Sequence, residues 1–302
     1  MTVSILRAGE VKENVSLSAM TDSFDHCEAL VRAADKDRFL ATLFAPARYR
    51  RALFSLYAFN IEVARVRELA REPMPGEIRL QWWRDVFSAA GGGEFKAHPV
   101  AAALTDTILR YRLPLAAFSD LIEARAFDLY DDPMASLDEL EAYAAKTSSA
   151  LIVLAALILD EGKAPGIGTL AGHAGIAYAI AGLLAAFAQH AARRQLYLPL
   201  DVLSRHGARA EDVFAGKATL ELRAALAELR LHARRRLGEA KTLMTSAPPA
   251  AAPAFLPAAL ARTMLDRMER RGYDPFKPVE IPQWRRQWAL WRAARQPARM
   301  FG

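Results

Sequence analysis

Apolar positions recur at three and four residues along almost the whole chain, and no segment shows sustained alternation. The first spacing lines apolar side chains along one face of a helix, whereas alternation would indicate a half-buried strand. The pattern is clearest from Leu43 to Phe87. Leu53, Leu56, Tyr57, Asn60 and Ala64 share one face, which runs into a charged cluster of Glu62, Arg65, Arg67 and Glu68. The run Glu72-Pro73-Met74-Pro75-Gly76 divides the stretch into two helices, with Pro46 and Pro75 at their expected first helical positions.

The same reading predicts helices over 22–34, 35–44 and 98–112, with a break at Gly91-Gly92-Gly93. A helix over 115–129 ends at Asp131-Asp132-Pro133. Ser136 and Glu139 form a capping box that opens an uninterrupted helix through Leu159. After the Gly/Pro turn at 162–168, an apolar helix reaches Arg194, and Tyr197-Leu198-Pro199 interrupts the pattern before 200–206. Helices follow over 219–244, from the proline-rich segment at Pro248 to Arg271, and from Pro282. Without strands, a flexible linker or a repeat, the pattern predicts one all-α domain over 22–302 behind a loose tail of residues 1–21.

Composition narrows the setting. Of 302 residues, 53% are hydrophobic and 25% charged, as in a folded globular chain. The formal net charge of +6 favours anionic partners, or serves solubility alone. Cys27 is the single cysteine, which excludes an internal disulfide and suits a reducing compartment. The first twenty residues lack the apolar run of a signal peptide. Residues 164–189 carry no Asp, Glu, Lys or Arg and are long enough to span a bilayer. They are mostly Ala and Gly, with Pro165 and His173 among them, and read as a buried central helix.

Several motifs fail for want of context. Gly166-Ile167-Gly168 with Gly172 follows no strand, so it is a turn between helices and not a phosphate cradle. The six histidines form no i, i+4 pair, and there is no GxSxG elbow. Arg234, Arg235 and Arg236 read as a solvated helix face, and no nucleic-acid partner is expected. Two patterns stay open. Asp128, Asp131 and Asp132 lie at i, i+3 and i+4, with Asp128 a full turn inside its predicted helix. They suit either Mg²⁺ with substrate phosphates or the turn that closes the helix. Trp284, Trp288 and Trp291 recur at four and three among Arg285, Arg286, Arg292 and Arg295. That helix either lies on an anionic membrane surface or turns its tryptophans to the core and its arginines to solvent.

A family resemblance emerges from five features in order: Tyr57-Ala58-Phe59, Trp83-Arg84-Asp85, Asp128-Leu129, Tyr143 with Thr147-Ser148, and Tyr197-Leu198-Pro199. From about Asp25 to Pro278 the chain resembles the squalene/phytoene synthases. The resemblance implies an isoprenoid-synthase-like helical bundle with a central cavity. It also implies a reaction joining two prenyl diphosphates, in which Mg²⁺ ions held by two aspartate-rich motifs neutralise the leaving diphosphate. Counting from Tyr57, the first motif falls on Ala64-Arg65-Val66-Arg67-Glu68; counting back from Tyr197, the second falls on Ala186-Phe187-Ala188-Gln189-His190. Glu68 is the one acid among these ten residues.

The segment Ala-Phe-Asn-Ile-Glu-Val-Ala-Arg-Val-Arg (58–67), with Gly-Glu-Ile-Arg-Leu-Gln-Trp-Trp (76–83), resembles the family's non-catalytic branch, which includes the mitochondrial complex I assembly factor. The resemblance therefore implies no catalytic residues, no metal and no cofactor, and an assembly partner within a membrane respiratory complex. The alternatives are an active prenyltransferase using Mg²⁺, or a module that binds an isoprenoid or lipid. Residues that would line a retained cavity are Tyr57, Asn60, Ala64, Arg65, Glu68, Trp83, Asp128, Tyr143, Ala186, Gln189, His190 and Tyr197. The expected location is the cytoplasm of a bacterium, peripheral on the inner face of the membrane, with Trp284, Trp288 and Trp291 as contacts.

Overall fold

Prolines and capping side chains set the helix boundaries, in a computed structural model that describes residues 20–70, 72–88, 95 and 97–302. No strand occurs among the described residues. The expected break at 91–93 and nearly all of the expected tail lie outside them. The chain divides into two compact units, one ending at Leu115 and one running from Ala116 to Gly302.

In the first unit, α1 spans 20–34. Asp35 caps α2 (Lys36–Thr42) by accepting from the Arg38 N–H at 2.9 Å. Pro46 is the N-cap of α3 (Ala47–Ala64) rather than its first residue. A single non-helical residue, Arg65 (φ −94°, ψ 4°), separates α3 from α4 (Val66–Leu69). Then α5 (Pro73–Ser88) starts two residues before Pro75, since proline's missing N–H costs nothing in a first turn. His98 caps α6 (Pro99–Tyr111), and Arg112 ends it in the left-handed conformation at φ 52°. Helices α3 and α6 pack together around Phe54, Leu56, Phe59 and Leu104, with a buried hydrogen bond of 2.8 Å between the Ser55 and Thr107 hydroxyls.

The second unit begins with α7 (Leu115–Ala126), which gives way to a 3₁₀ turn at Phe127–Leu129, so the helix ends earlier than its pattern predicts. The capping box forms as expected: the Ser136 hydroxyl accepts from the Glu139 N–H, and the Glu139 carboxylate accepts from the Ala135 N–H. The helix it opens is not continuous. A π-helical turn, Ala145–Ser149, joins α8 (Leu137–Ala144) to α9 (Ala150–Leu159). After Gly166, left-handed at φ 70°, comes α10 (Ile167–Ala185). Ala186 breaks it from α11 (Phe187–Ala192). The remaining helices are α12 (Leu200–Arg205), α13 (Ala210–Phe214), α14 (Leu220–Met244), α15 (Leu256–Met268) and α16 (Gln283–Arg295).

Helix α10 is the centre of this unit and packs against α8, α9, α14 and α15. Residues 137–159 and 167–185 have the length and composition of membrane spans, yet most of each is buried against neighbouring helices. At Gly175 a Cβ would lie 2.5 Å from the Ser149 Cα, so only glycine permits this approach of α10 to the π turn. On the opposite side Glu141 of α8 accepts from Arg236 of α14 at 2.8 Å. Arg234 is likewise held, by Asp266 and Glu269 of α15. Two of the three consecutive arginines are thus spent on joining helices.

Candidate functional site

In the first unit, Tyr57, Asn60 and Trp83 are buried. The Arg38 guanidinium lies over the Tyr57 ring at 5.6 Å, and burial pushes the phenol up to about 12. Trp83 meets Phe59 edge-on at 4.9 Å, a packing role. Asn60 is 5% exposed, and its side-chain oxygen accepts no hydrogen bond from any protein group among the described residues. Ala64 is the last residue of α3. Beyond it, Arg65 Nε meets Glu68 Oε2 at 3.2 Å, both side chains being about half exposed.

The second unit holds the densest polar group. Because α7 tightens into a 3₁₀ turn, Asp128 points into the helices instead of along a helix end, and it is buried. Its Oδ1 accepts from Tyr143 Oη at 2.9 Å and Tyr197 Oη at 2.7 Å. Its Oδ2 accepts from Arg125 Nη1 at 3.0 Å. Arg125 Nη1 also donates to Tyr143 Oη at 2.6 Å, and Gln195 Nε2 to the Asp128 backbone carbonyl at 3.3 Å. Phe127 closes the cluster, with its ring about 6 Å from those of Tyr143 and Tyr197. Burial, reinforced for Tyr197 by the adjacent carboxylate, drives both phenols far above their usual range. Burial works against the Arg125 charge, but Tyr143 and Asp128 outweigh it and hold the guanidinium protonated.

This arrangement bears on whether Asp128 could hold a metal. Both carboxylate oxygens are engaged by donors from three side chains, and the Arg125 guanidinium beside them repels a cation. Asp131 and Asp132, the proposed co-ligands, are exposed in the loop beyond. No three His, Cys, Asp or Glu among the described residues converge as a metal site. The donors present do not suit Mg²⁺: Glu68 is paired with Arg65 and Asp128 with Arg125, so each acid already faces a cation. Arg125 and Gln195 complete the cluster and were not anticipated from sequence. Arg125 carried a signal, since it precedes Asp128 by three residues on one helix face.

Ala186 is the residue that interrupts α10 and α11, and Gln189 is exposed. The His190 ring lies 4.7 Å from that of Tyr197. Burial lowers its pKa, and Arg193 adds to this effect while Asp128 opposes it. Beside His190 and Tyr197 is an apolar pocket lined by Leu140, Ile180, Leu184 and Phe187, with a volume of about 10 Å³. That is room for roughly one water.

The tryptophans of α16 turn away from the core. Leu290 and Ala293 are its buried residues, whereas Trp284, Trp288 and Trp291 are 62%, 58% and 43% exposed. Of the two readings left open by the sequence, the core-facing stripe is thereby excluded.

Residues 31–292 match the squalene/phytoene synthase family. Complex I assembly factor 6 of Rattus norvegicus is 30% identical over 275 residues, covering 90% of this chain and 82% of the relative. The chloroplastic phytoene synthase 2 of Solanum lycopersicum is 28% identical over 271 residues, covering 86% of each. Among solved structures, squalene synthase HpnC from Alicyclobacillus acidocaldarius aligns with a TM-score of 0.74 at 24% identity, over 85% of this chain and 97% of that one. A dehydrosqualene synthase in complex with ligand aligns at 0.79 and 16% identity, over 93% and 98%. These two establish the isoprenoid-synthase-like helical fold, and the family match extends through both units of the chain. The chain belongs to the squalene/phytoene synthase family.

Proposed function

We propose that this protein is a catalytically silent member of its family that acts by binding, as an assembly factor for a respiratory NADH dehydrogenase of the complex I kind. The observation that carries the reading is the state of its carboxylates. Ionising a prenyl diphosphate calls for Mg²⁺ held by several free carboxylates. At the positions that the resemblance assigns to this task, the single acid is Glu68, and Arg65 neutralises it. Asp128, the buried acid of the second unit, is bound by Tyr143, Tyr197 and Arg125. The relation to complex I assembly factor 6, at 30% identity over most of both chains, supports the assembly role.

The test is incubation of the full chain with Mg²⁺ and farnesyl or geranylgeranyl diphosphate. No condensed hydrocarbon or cyclopropyl diphosphate is expected. Product that depends on Mg²⁺ overturns the proposal.

A second reading, an active prenyltransferase relying on Glu68, Asp128 and Arg65, is favoured by the 28% identity to phytoene synthase 2. The occupied state of both carboxylates weighs against it. A lipid-binding role finds no support in the pocket beside His190, whose 10 Å³ cannot accept an isoprenoid chain.

A further inference from the structure

We infer that α16 and the groove beside it form a docking surface for an anionic phospholipid bilayer. The helix is divided by chemistry. At 100° per residue, Trp284, Trp288 and Trp291 fall within an arc of roughly 60°, opposite the buried Leu290 and Ala293. Trp288 and Trp291 stack with ring centroids 5.0 Å apart, forming an exposed aromatic ridge. Arg285 lies over Trp284 at 5.1 Å and Arg295 over Trp291 at 5.3 Å. Indole rings flanked by guanidinium groups suit the headgroup level of a bilayer, where an apolar ring meets a polar edge.

Charge selects the partner. Residues 281–302 contain Arg285, Arg286, Arg292, Arg295 and Arg299 and no Asp or Glu, while the formal excess of the entire chain is +6. Between α15 and α16 runs a groove of about 370 Å³. Arg262, Arg285, Arg292 and Arg299 line it together with Trp284 and Trp288. None of these four arginines has a carboxylate partner among the described residues, whereas Arg234 and Arg236 on α14 are ion-paired. The acid in the groove wall, Asp266, is taken up by Arg234. Four guanidinium groups without a carboxylate partner around this open groove, with one wall continuing into an exposed tryptophan ridge, match anionic headgroups at the arginines and the bilayer interface at the ridge. An acidic protein surface with an apolar patch would meet the same side chains, but it would give no flotation with vesicles, and that outcome counts against the bilayer.

Flotation of the full chain with vesicles tests this. The protein is expected to float with phosphatidylcholine vesicles that contain phosphatidylglycerol, to stay behind with phosphatidylcholine alone, and to be released by high salt. Arg292→Gln with Arg299→Gln should weaken binding to the mixed vesicles roughly 25-fold, at roughly fivefold per arginine near the surface. Arg235→Gln with Arg271→Gln, an exposed pair of equal charge elsewhere, should change it little. Trp288→Ala with Trp291→Ala should reduce the blue shift of tryptophan emission on binding to what Trp284 alone contributes. The inference is overturned by absence of flotation, by equal flotation on neutral vesicles, or by both arginine pairs behaving alike. It is also overturned if the tryptophan variant retains the full shift. All these side chains are exposed, and a melting curve establishes that each variant is folded. Where a double variant does not fold, the single changes Arg292→Gln and Trp288→Ala are read in its place.

Discussion

Asp128 shows how a buried acid can be structural in a fold known for catalytic acids. Its carboxylate is the shared acceptor of two phenols and a guanidinium, and each of those groups would be stranded without it. Asp128→Asn keeps the shape but removes the counter-charge from buried Arg125. Breaking one side of such a pair costs about 3 kcal/mol or more. In a protein of this size that lowers the melting temperature by roughly 5 °C. Tyr197→Phe removes one hydrogen bond and should cost only about 1 kcal/mol. Thermal melts of the two variants give the comparison, and equal melting temperatures would show that the carboxylate carries no special weight. Sequence pointed to Asp128, Tyr143 and Tyr197 individually. It did not join them, because Tyr197 lies 69 residues from Asp128 and only the fold closes that distance. It also assigned Asp128 to a helix interior, since helical periodicity cannot register a last turn that tightens to 3₁₀.

Helix existence was legible from spacing alone, and the Ser136 cap formed where expected, whereas Thr219, read as the first residue of its helix, is the cap that accepts from the Leu222 N–H. Interruptions were not legible when no glycine or proline marked them. Arg65 breaks α3 from α4, and Ala186 breaks α10 from α11, both with backbone angles close to φ −93° and ψ 5°. One interruption falls within, and the other at the start of, the positions that the resemblance assigns to aspartate motifs. The π turn at Ala145–Ser149 was equally silent, because one inserted residue shifts the apolar face without removing it. That turn depends on Gly175. A methyl group there would meet Ser149 Oγ at 2.3 Å and its backbone nitrogen at 2.6 Å. Gly175→Ala must therefore push α10 away from the π turn, at a cost of about 1–3 kcal/mol despite alanine's better helix propensity. A melt should show the loss, whereas Gly182→Ala, where a Cβ meets nothing within 4 Å, should match or exceed the parent. A Gly175→Ala protein as stable as its parent would mean that the close approach relaxes freely.

At the scale of the whole molecule, the family match extends through residues 31–292, and the two acids considered for chemistry, Glu68 and Asp128, are each paired with an arginine. The two functional readings then diverge at a single carboxylate. A working prenyltransferase would need Glu68 as its remaining acid near the diphosphate. For a binding protein the exposed ion pair of Glu68 with Arg65 is worth less than about 1 kcal/mol. Glu68→Gln is therefore the informative change: it removes the charge from a side chain that is partly exposed and nearly keeps its shape. In cells lacking the chromosomal copy, loss of assembled NADH dehydrogenase and of its membrane activity is expected. The Glu68→Gln protein should restore both as fully as the unaltered one. Failure of that variant, with normal protein levels and with a prenyl product missing from the lipid extract, would mean that the acid does chemistry and that the assembly defect follows from the missing product. Failure of the unaltered protein to restore the complex would remove the assembly role itself.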